Sequence, residues 1–368
     1  MSSAANAPAS PPAESVPDAP LAPLTTLRVG GPARRLATAA TEAELVAAVR
    51  AADAAGEPLL LLAGGSNVLV ADDGFPGTVV RVATSGVRVV SEDLCGGAVV
   101  TAAAGESWDA LVALAVERGF TGIEAMSGIP GTVGATPVQN VGAYGQEVSQ
   151  TIATVRVFDR VDARVRTLAS ADLQFGYRTS LLKRSRTALA GDHPESRYVV
   201  LDVTFQLRPG ALSAPVAYPE LARELGVELG GRAPLADVRA AVLALRARKG
   251  MVLEEDDRDT WSAGSFFTNP VLPVADAERL PSDAPRYPAG EGLVKTSAAW
   301  LIERAGFGKG HGTPGPAALS TKHTLALTNR GGARAADLLA LAREVADGVE
   351  ERFGVRIVNE PVLVGCSL

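Results

Sequence analysis

The chain has 368 residues, 47% of them hydrophobic, a formal net charge of −6 and a pI near 5.3. That length exceeds one ordinary domain and that apolar share can bury a substantial core; the acidic balance excludes the basic footprint that nucleic acid or an anionic membrane surface demands. The two cysteines, Cys95 and Cys366, lie far apart and read as reduced thiols, which fits a cytoplasmic protein.

Residues 1–23, rich in Ala, Pro and Ser, lack the basic start and apolar run of a secretory signal and read as a disordered tail. No later stretch offers the roughly 20 uninterrupted apolar residues that a membrane span needs. Thr41 as N-cap, Glu44 completing a capping box and Gly56 as the stop predict a helix over 41–56. A buried strand is expected over 58–63 (PLLLLA), running into Gly64-Gly65-Ser66-Asn67, a second apolar run, a turn at Asp73-Gly74 and a strand over 78–82. Two more strands are expected between 87 and 104, then a helix over 108–118 ended by Gly119.

Residues 128–145 (GIPGTVGATPVQNVGAYG) hold too many glycines and prolines for a regular element and too few charges for a solvated loop, so something is expected to lie against them. Strands follow over 154–158, 164–168 and 198–207, and Pro209-Gly210 marks a boundary. Beyond it, helices are expected over 235–248, 297–305 and 335–353, with strands near 324–328 and at the C-terminal end. The irregular alternation points to an α+β fold.

A GGSN loop after a buried strand presents consecutive backbone N–H groups to a phosphate, although an ordinary tight turn has the same composition. A second glycine-rich stretch in the same half suits a long dinucleotide such as FAD. The literal G-x-G-x-x-G match at 310–315 (GHGTPG) follows a helix, and Pro314 sits where a helix should open, so it is read as a decoy. His193, His311 and His323 are dispersed and no HExxH or CxxC occurs, so no metal site is expected; His193 reads as a surface-loop residue. Three segments remain: FGYRTSLLK (175–183), WSAGSFFTNP (261–270) and VNEPVLVG (358–365). Singly, each has a plain alternative: a surface pair at Tyr177-Arg178, a turn serine at Ser265, a solvated Glu360 before an edge strand.

In order, AGGSNVL (63–69), GIPGTVGATPVQNVGAYGQEV (128–148), FGYR (175–178), AGSFFTNP (263–270) and NEP (359–361) resemble the UDP-N-acetylenolpyruvoylglucosamine reductase family. The resemblance covers nearly everything after the tail. It implies an FAD-binding domain of the vanillyl-alcohol-oxidase (PCMH) type over 24–210, with two α+β lobes dividing near 70. A smaller α+β substrate-binding domain follows over 211–368, its last strand returning to the active site. The implied reaction reduces the enolpyruvyl ether of UDP-N-acetylglucosamine enolpyruvate to UDP-N-acetylmuramate, a step of peptidoglycan synthesis, with non-covalent FAD as cofactor and NADPH as co-substrate. A monomer is expected.

By the same resemblance, Arg178 and Glu360 stabilise the enolate-like charge left by hydride transfer, and Ser265 delivers the final proton. FAD contacts fall to Gly64, Gly65, Ser66, Asn67, Ile129, Gly131, Gly134, Thr136, Gln139, Gly142, Tyr144 and Arg246, and substrate contacts to Tyr177, Tyr218, Lys249, Asn269 and His323. Tyr218 implies the subgroup that closes a loop over the substrate. Three positions depart from the pattern: Pro361-Val362 where relatives carry Val-Arg, Thr268 where lysine is common, and His323 where some carry glutamine. The alternatives are another flavin oxidase of the same fold, or a flavin-binding regulator without catalysis. Many such oxidases tether FAD through a histidine in the N-terminal half, and none precedes His193 here.

Overall fold

The structure, a computed structural model, describes residues 14–93, 96–190 and 193–368, without the side chains of 187–190 and 193–195. Cys95 and residues 1–13 of the expected tail lie outside the described residues. Contacts group the chain into two units: 14–19, Ala33–Gly64 and Phe75–Val242 form one; Pro20–Pro32, Gly65–Gly74 and Leu243–Leu368 form the other. The compositional boundary at 210 does not coincide with this grouping. The strand Tyr198–Pro209 does end there, but the next stretch stays with the first unit, where Ala214 N–H donates to Glu124 (2.8 Å) and Arg239 to Asp109 (2.7 and 2.8 Å).

Two larger sheets organise the described residues of the first unit, beside the two-stranded pairs Gly142–Ala143/Gln146–Glu147 and Arg186–Ala190/His193–Ser196. One has the order Ser15–Pro20, Pro32–Ala39, Phe75–Val82, Leu59–Leu62. Its Pro32–Ala39/Phe75–Val82 and Leu59–Leu62/Phe75–Val82 pairs are parallel, so a crossover is required, and helix Glu42–Ala55 supplies it. Thr41 and Glu44 exchange the two capping-box bonds, Gly56 closes the helix at φ +63°, and Leu45, Val49 and Ala52 face the core. Residues 15–20 correct the reading of 1–23 as disordered: they form an edge strand, with Ala19 buried. Sequence hid it because SVPDAP has little strand propensity, and only an edge tolerates its two prolines.

The second sheet is antiparallel, in the order Arg164–Ala169, Ile152–Asp159, Tyr198–Pro209, Gly97–Ala103, Val87–Asp93, with Phe120–Thr121 paired to the end of Tyr198–Pro209. Alternation sets Ala98, Val100 and Ala102 inward, against a core holding Val155, Val157, Val203, Phe205 and, from helix Trp108–Glu117, Trp108 and Leu111. Each fully buried Val, Leu or Phe among them contributes roughly 1.5–3 kcal/mol.

In the second unit, helix Ala335–Phe353 sets Leu338, Ala342, Val345 and Val349 on one face, against Leu301, Ile302, Phe266, Phe267 and Leu69. Strand Val362–Val364 pairs in parallel with Val68–Val70. The strand expected near 324–328 is shifted to Leu327–Asn329, paired with Ala317–Leu319. The hydroxyl of Ser320 accepts from the amides of Lys322 and His323 (3.0 and 3.2 Å), giving this backbone a turn in place of a ladder. The decoy reading of 310–315 agrees with the structure: the segment leads into strand Ala317–Leu319 and opens no helix. Among the described residues no helix is long and apolar enough to cross a membrane.

Candidate functional site

In the first unit the two glycine segments meet. A Cβ on Gly64 would lie 2.6 Å from Cα of Gly131, and one on Gly134 would lie 2.6 Å from Cβ of Ala104. Only glycine permits either approach, and it leaves bare backbone along the stretch. The stretch is pinned by the amide of Trp108 to Gly131 O (3.1 Å), Val133 to Glu106 O (2.9 Å) and Gly134 to Ala104 O (2.8 Å). Thr136 is buried with its hydroxyl on Val133 O (2.8 Å), Ile129 packs on the core and Gln139 is half-buried. Asp109 holds the start of the stretch, accepting from Gly128 N (2.6 Å) and from both terminal nitrogens of Arg239.

Arg178 rests on the end of the same stretch. Its guanidinium donates to the carbonyls of Asn140 (3.1 Å) and Gly142 (3.0 Å), and its own carbonyl accepts from Lys183 Nζ (3.0 Å). Its backbone is left-handed, φ +53°, which costs a non-glycine residue roughly 1–2 kcal/mol. Such strain persists where surrounding bonds over-determine it, and it clusters at functional sites. Tyr177 beside it is exposed. Tyr144 is also left-handed (φ +49°) and meets Tyr218 edge to face at 5.4 Å. Tyr218 precedes helix Pro219–Leu225, an element that sequence reading missed.

The second unit gathers another group. Glu360 N–H donates to Phe266 O (2.8 Å) and Thr268 N–H to Val358 O (3.0 Å), so the segment containing Ser265 runs antiparallel beside the one containing Glu360. Phe266 N–H donates in turn to Leu325 O (2.7 Å), which joins the His323 turn to the same place. Asn67 O accepts from Val362 N (3.0 Å), so Asn67 is tied into this group, with Ser66 half-buried. Gly65 stands at φ +61°, where a Cβ would be 1.9 Å from Leu24 O. Asn269 accepts from the amide of Ala298 (2.9 Å), at the start of helix Ala298–Arg304. Arg246 donates to Met251 O (2.8 Å) at the end of helix Leu235–Arg248, next to Lys249.

Sequence reading missed three anchoring residues. Asn140 is buried and holds the Arg178 loop; Asp109 holds Gly128; Asp259 holds the His323 turn, accepting from Thr321 N (2.8 Å), Thr321 Oγ1 (2.5 Å) and Arg330 (2.8 Å). Burial pushes the Asp259 carboxyl up, but those donors outweigh it and hold it below the usual carboxylate range. Only Asn140 carried a signal, a residue tolerant of left-handed backbone within a glycine-rich motif.

The bare backbone where Gly64 meets Gly131 fits a dinucleotide cofactor, because a diphosphate needs close access to amides with no side chains between. A family profile described as an FAD binding domain matches residues 33–169, and one described as UDP-N-acetylenolpyruvoylglucosamine reductase, C-terminal domain, matches 256–364. Proteins named UDP-N-acetylenolpyruvoylglucosamine reductase from Streptomyces avermitilis and Nocardia farcinica are 57% and 58% identical; each alignment covers 95% of this chain, and 95% and 89% of theirs. The crystal structure of the enzyme of that function from Thermus caldophilus superposes with a TM-score of 0.62 at 28% identity, covering 95% of this chain and 98% of that one. The chain belongs to the UDP-N-acetylenolpyruvoylglucosamine reductase family.

Proposed function

We propose that this protein, in the cytoplasm, reduces the enolpyruvyl ether of UDP-N-acetylglucosamine enolpyruvate to the lactyl ether of UDP-N-acetylmuramate for peptidoglycan synthesis. Bound FAD supplies the redox chemistry, carrying hydride from NADPH to the methylene carbon. Gly64 and Gly131 give it access to backbone, helped by Gly65, Ser66, Asn67, Ile129, Gly134, Thr136, Gln139, Gly142, Tyr144 and Arg246.

This chain's side chains manage the charge and the proton. Negative charge develops on the carbon beside the methylene and on its carboxylate. Arg178, permanently charged and held by two carbonyls, meets it with a forked donor set of fixed direction. Ser265 delivers the proton to the carbanionic carbon, whose basicity makes a positioned hydroxyl sufficient. Glu360 assists, either as a protonated carboxyl or by orienting another group. Tyr177, Tyr218, Lys249, Asn269 and His323 contact the sugar nucleotide.

Beyond family membership, the backbone pairing that sets the Ser265 segment beside Glu360 carries this reading. A flavin-binding regulator needs no such proton donor. The test is anaerobic: bleach the visible flavin band with NADPH, then add the enolpyruvyl sugar nucleotide. The band returns without oxygen if the substrate is right; bleaching without return rejects the substrate, and absence of recoverable flavin rejects the cofactor.

A further inference from the structure

Two non-glycine residues with left-handed backbone meet where the Arg178 turn rests on the glycine-rich stretch: Asn140, within the stretch, at φ +50° and Arg178 at φ +53°. Asn140 is 1% exposed, and its side chain makes three bonds. Its amide nitrogen donates to Glu147 Oε2 (2.8 Å) and to the carbonyl of Gly176 (3.1 Å), and its amide oxygen accepts from the backbone of Ser149 (3.1 Å). Gly176 opens the turn that carries Arg178, closed by paired backbone bonds with Thr179 (3.0 and 3.3 Å). The main-chain carbonyl of Asn140 is also one of the two on which the guanidinium rests. One residue therefore fixes where the turn begins and where its arginine ends.

We propose that Asn140 is the positioning residue for Arg178, setting the direction in which its guanidinium meets the charge that develops on the substrate. This rests on the role given to Arg178 above. The chemistry demands an amide. Aspartate offers no donor to Gly176 and sets a carboxylate against Glu147, while alanine loses all three bonds and tolerates the left-handed backbone poorly. Glycine keeps the backbone and removes only the side chain, which makes Asn140→Gly the clean probe.

The experiment uses the FAD-loaded full chain and reads four quantities: bleaching by NADPH, anaerobic reoxidation by saturating enolpyruvyl sugar nucleotide, the FAD dissociation constant and the melting temperature. Asn140→Gly is expected to slow reoxidation about 10–100-fold, the cost of a misplaced group near the chemistry, with bleaching and FAD affinity within about two-fold of the parent. In an Arg178→Ala background the same change is expected to slow reoxidation by less than about two-fold, because residues acting as one unit are not additive. Asn140→Asp gives the same selective pattern and serves where the glycine variant does not fold. Equal losses in both half-reactions with weakened FAD binding assign Asn140 a merely structural role and overturn the proposal. Effects that multiply in the double variant also overturn it. Slow reoxidation in Arg178→Ala with a normal Asn140→Gly removes the positioning role alone; normal reoxidation in Arg178→Ala removes the reading of Arg178 and this proposal with it.

Discussion

The Arg178 region and the Ser265 region hold their candidate residues by opposite means. Around Arg178 the backbone is irregular, and side chains do the holding: Asn140, Asp109 and Lys183 each bond a main-chain group. Around Ser265 the main chain pairs with itself, through Phe266 with Glu360 and Thr268 with Val358. Anchors of the first kind are exposed to single substitutions, since each is one side chain deep. Anchors of the second kind resist them, so within that pairing only the reacting groups themselves should be sensitive, whereas the adjoining His323 turn, held by the Asp259 side chain, shares the exposure of the first kind.

The largest effect tests that contrast directly. Ser265→Ala removes a hydroxyl and no backbone bond, so the fold and NADPH bleaching should persist while anaerobic reoxidation falls roughly 10³-fold, the scale of a lost general acid. Ser265→Cys should retain part of the rate, since a thiol also donates a proton. Slowed bleaching in Ser265→Ala would show that the serine supports the site's structure and would dissolve the contrast.

Next come two adjacent glycines with different neighbours. Gly64→Ala places a Cβ 2.6 Å from Gly131 Cα and should push the two glycine segments apart, lowering FAD affinity by more than about 10-fold and costing the apo-protein about 1–3 kcal/mol. Gly65→Ala places one 1.9 Å from Leu24 O at φ +61°, which should destabilise the protein itself by about 2–4 kcal/mol. Titration with FAD and thermal melts separate the two; equal behaviour would mean that both glycines serve only the turn.

What sequence could and could not disclose follows the same division. Helix 41–56 was legible from its caps, and helices 235–248 and 335–353 from apolar residues recurring at helical spacing on the face they bury. The glycine-rich stretch was legible as an irregular, sparsely charged segment because its composition suits neither a regular element nor a solvated loop. The anchors were not: Asp109–Arg239 and Asn140–Gly176 join residues 130 and 36 apart, and nothing local at either end marks the partner. The helix Pro219–Leu225 and the edge strand Ser15–Pro20 escaped for a related reason, one being very short and the other set by its neighbour in the sheet.

Acid should touch the first unit through a buried carboxylate outside the glycine-rich stretch. Burial pushes the Asp159 carboxyl up, but Arg197, the amide of Asp162 and Arg166 outweigh it and hold its pKa at about 2. A depressed carboxylate stabilises the fold fully above its unfolded value, near 4, and loses that stabilisation as pH falls through its folded value. Between about pH 4 and 2, protection against amide exchange, corrected for the intrinsic rate at each pH, should therefore fall across 152–166 and 198–209 in the parent, and Asp159→Asn should flatten that dependence. Asp259, also held low, should act likewise on 320–325. If Asp159→Asn flattens the pH dependence of protection at 320–325 as well, the two networks are not separate.

The smallest effect is the most specific to the side-chain kind of anchor. Asp109 accepts both terminal nitrogens of Arg239 and the amide of Gly128, so the pair ties the start of the glycine-rich stretch to helix Leu235–Arg248. Its geometry is bidentate, but the Asp109 side chain is 37% exposed, and solvent screening keeps such pairs to about 0.5–1 kcal/mol. Arg239→Gln should then weaken FAD binding about two- to five-fold, more at low ionic strength than at high, and leave reoxidation unchanged once FAD saturates. Asp109→Asn should cost somewhat more than Arg239→Gln, because it weakens the bond to Gly128 as well. If the two variants lower FAD affinity equally, the ion pair matters and the Gly128 amide does not; if neither lowers it, the stretch is held by its bonds to Ala104, Glu106 and Trp108 alone, and its start is as self-sufficient as the Ser265 pairing.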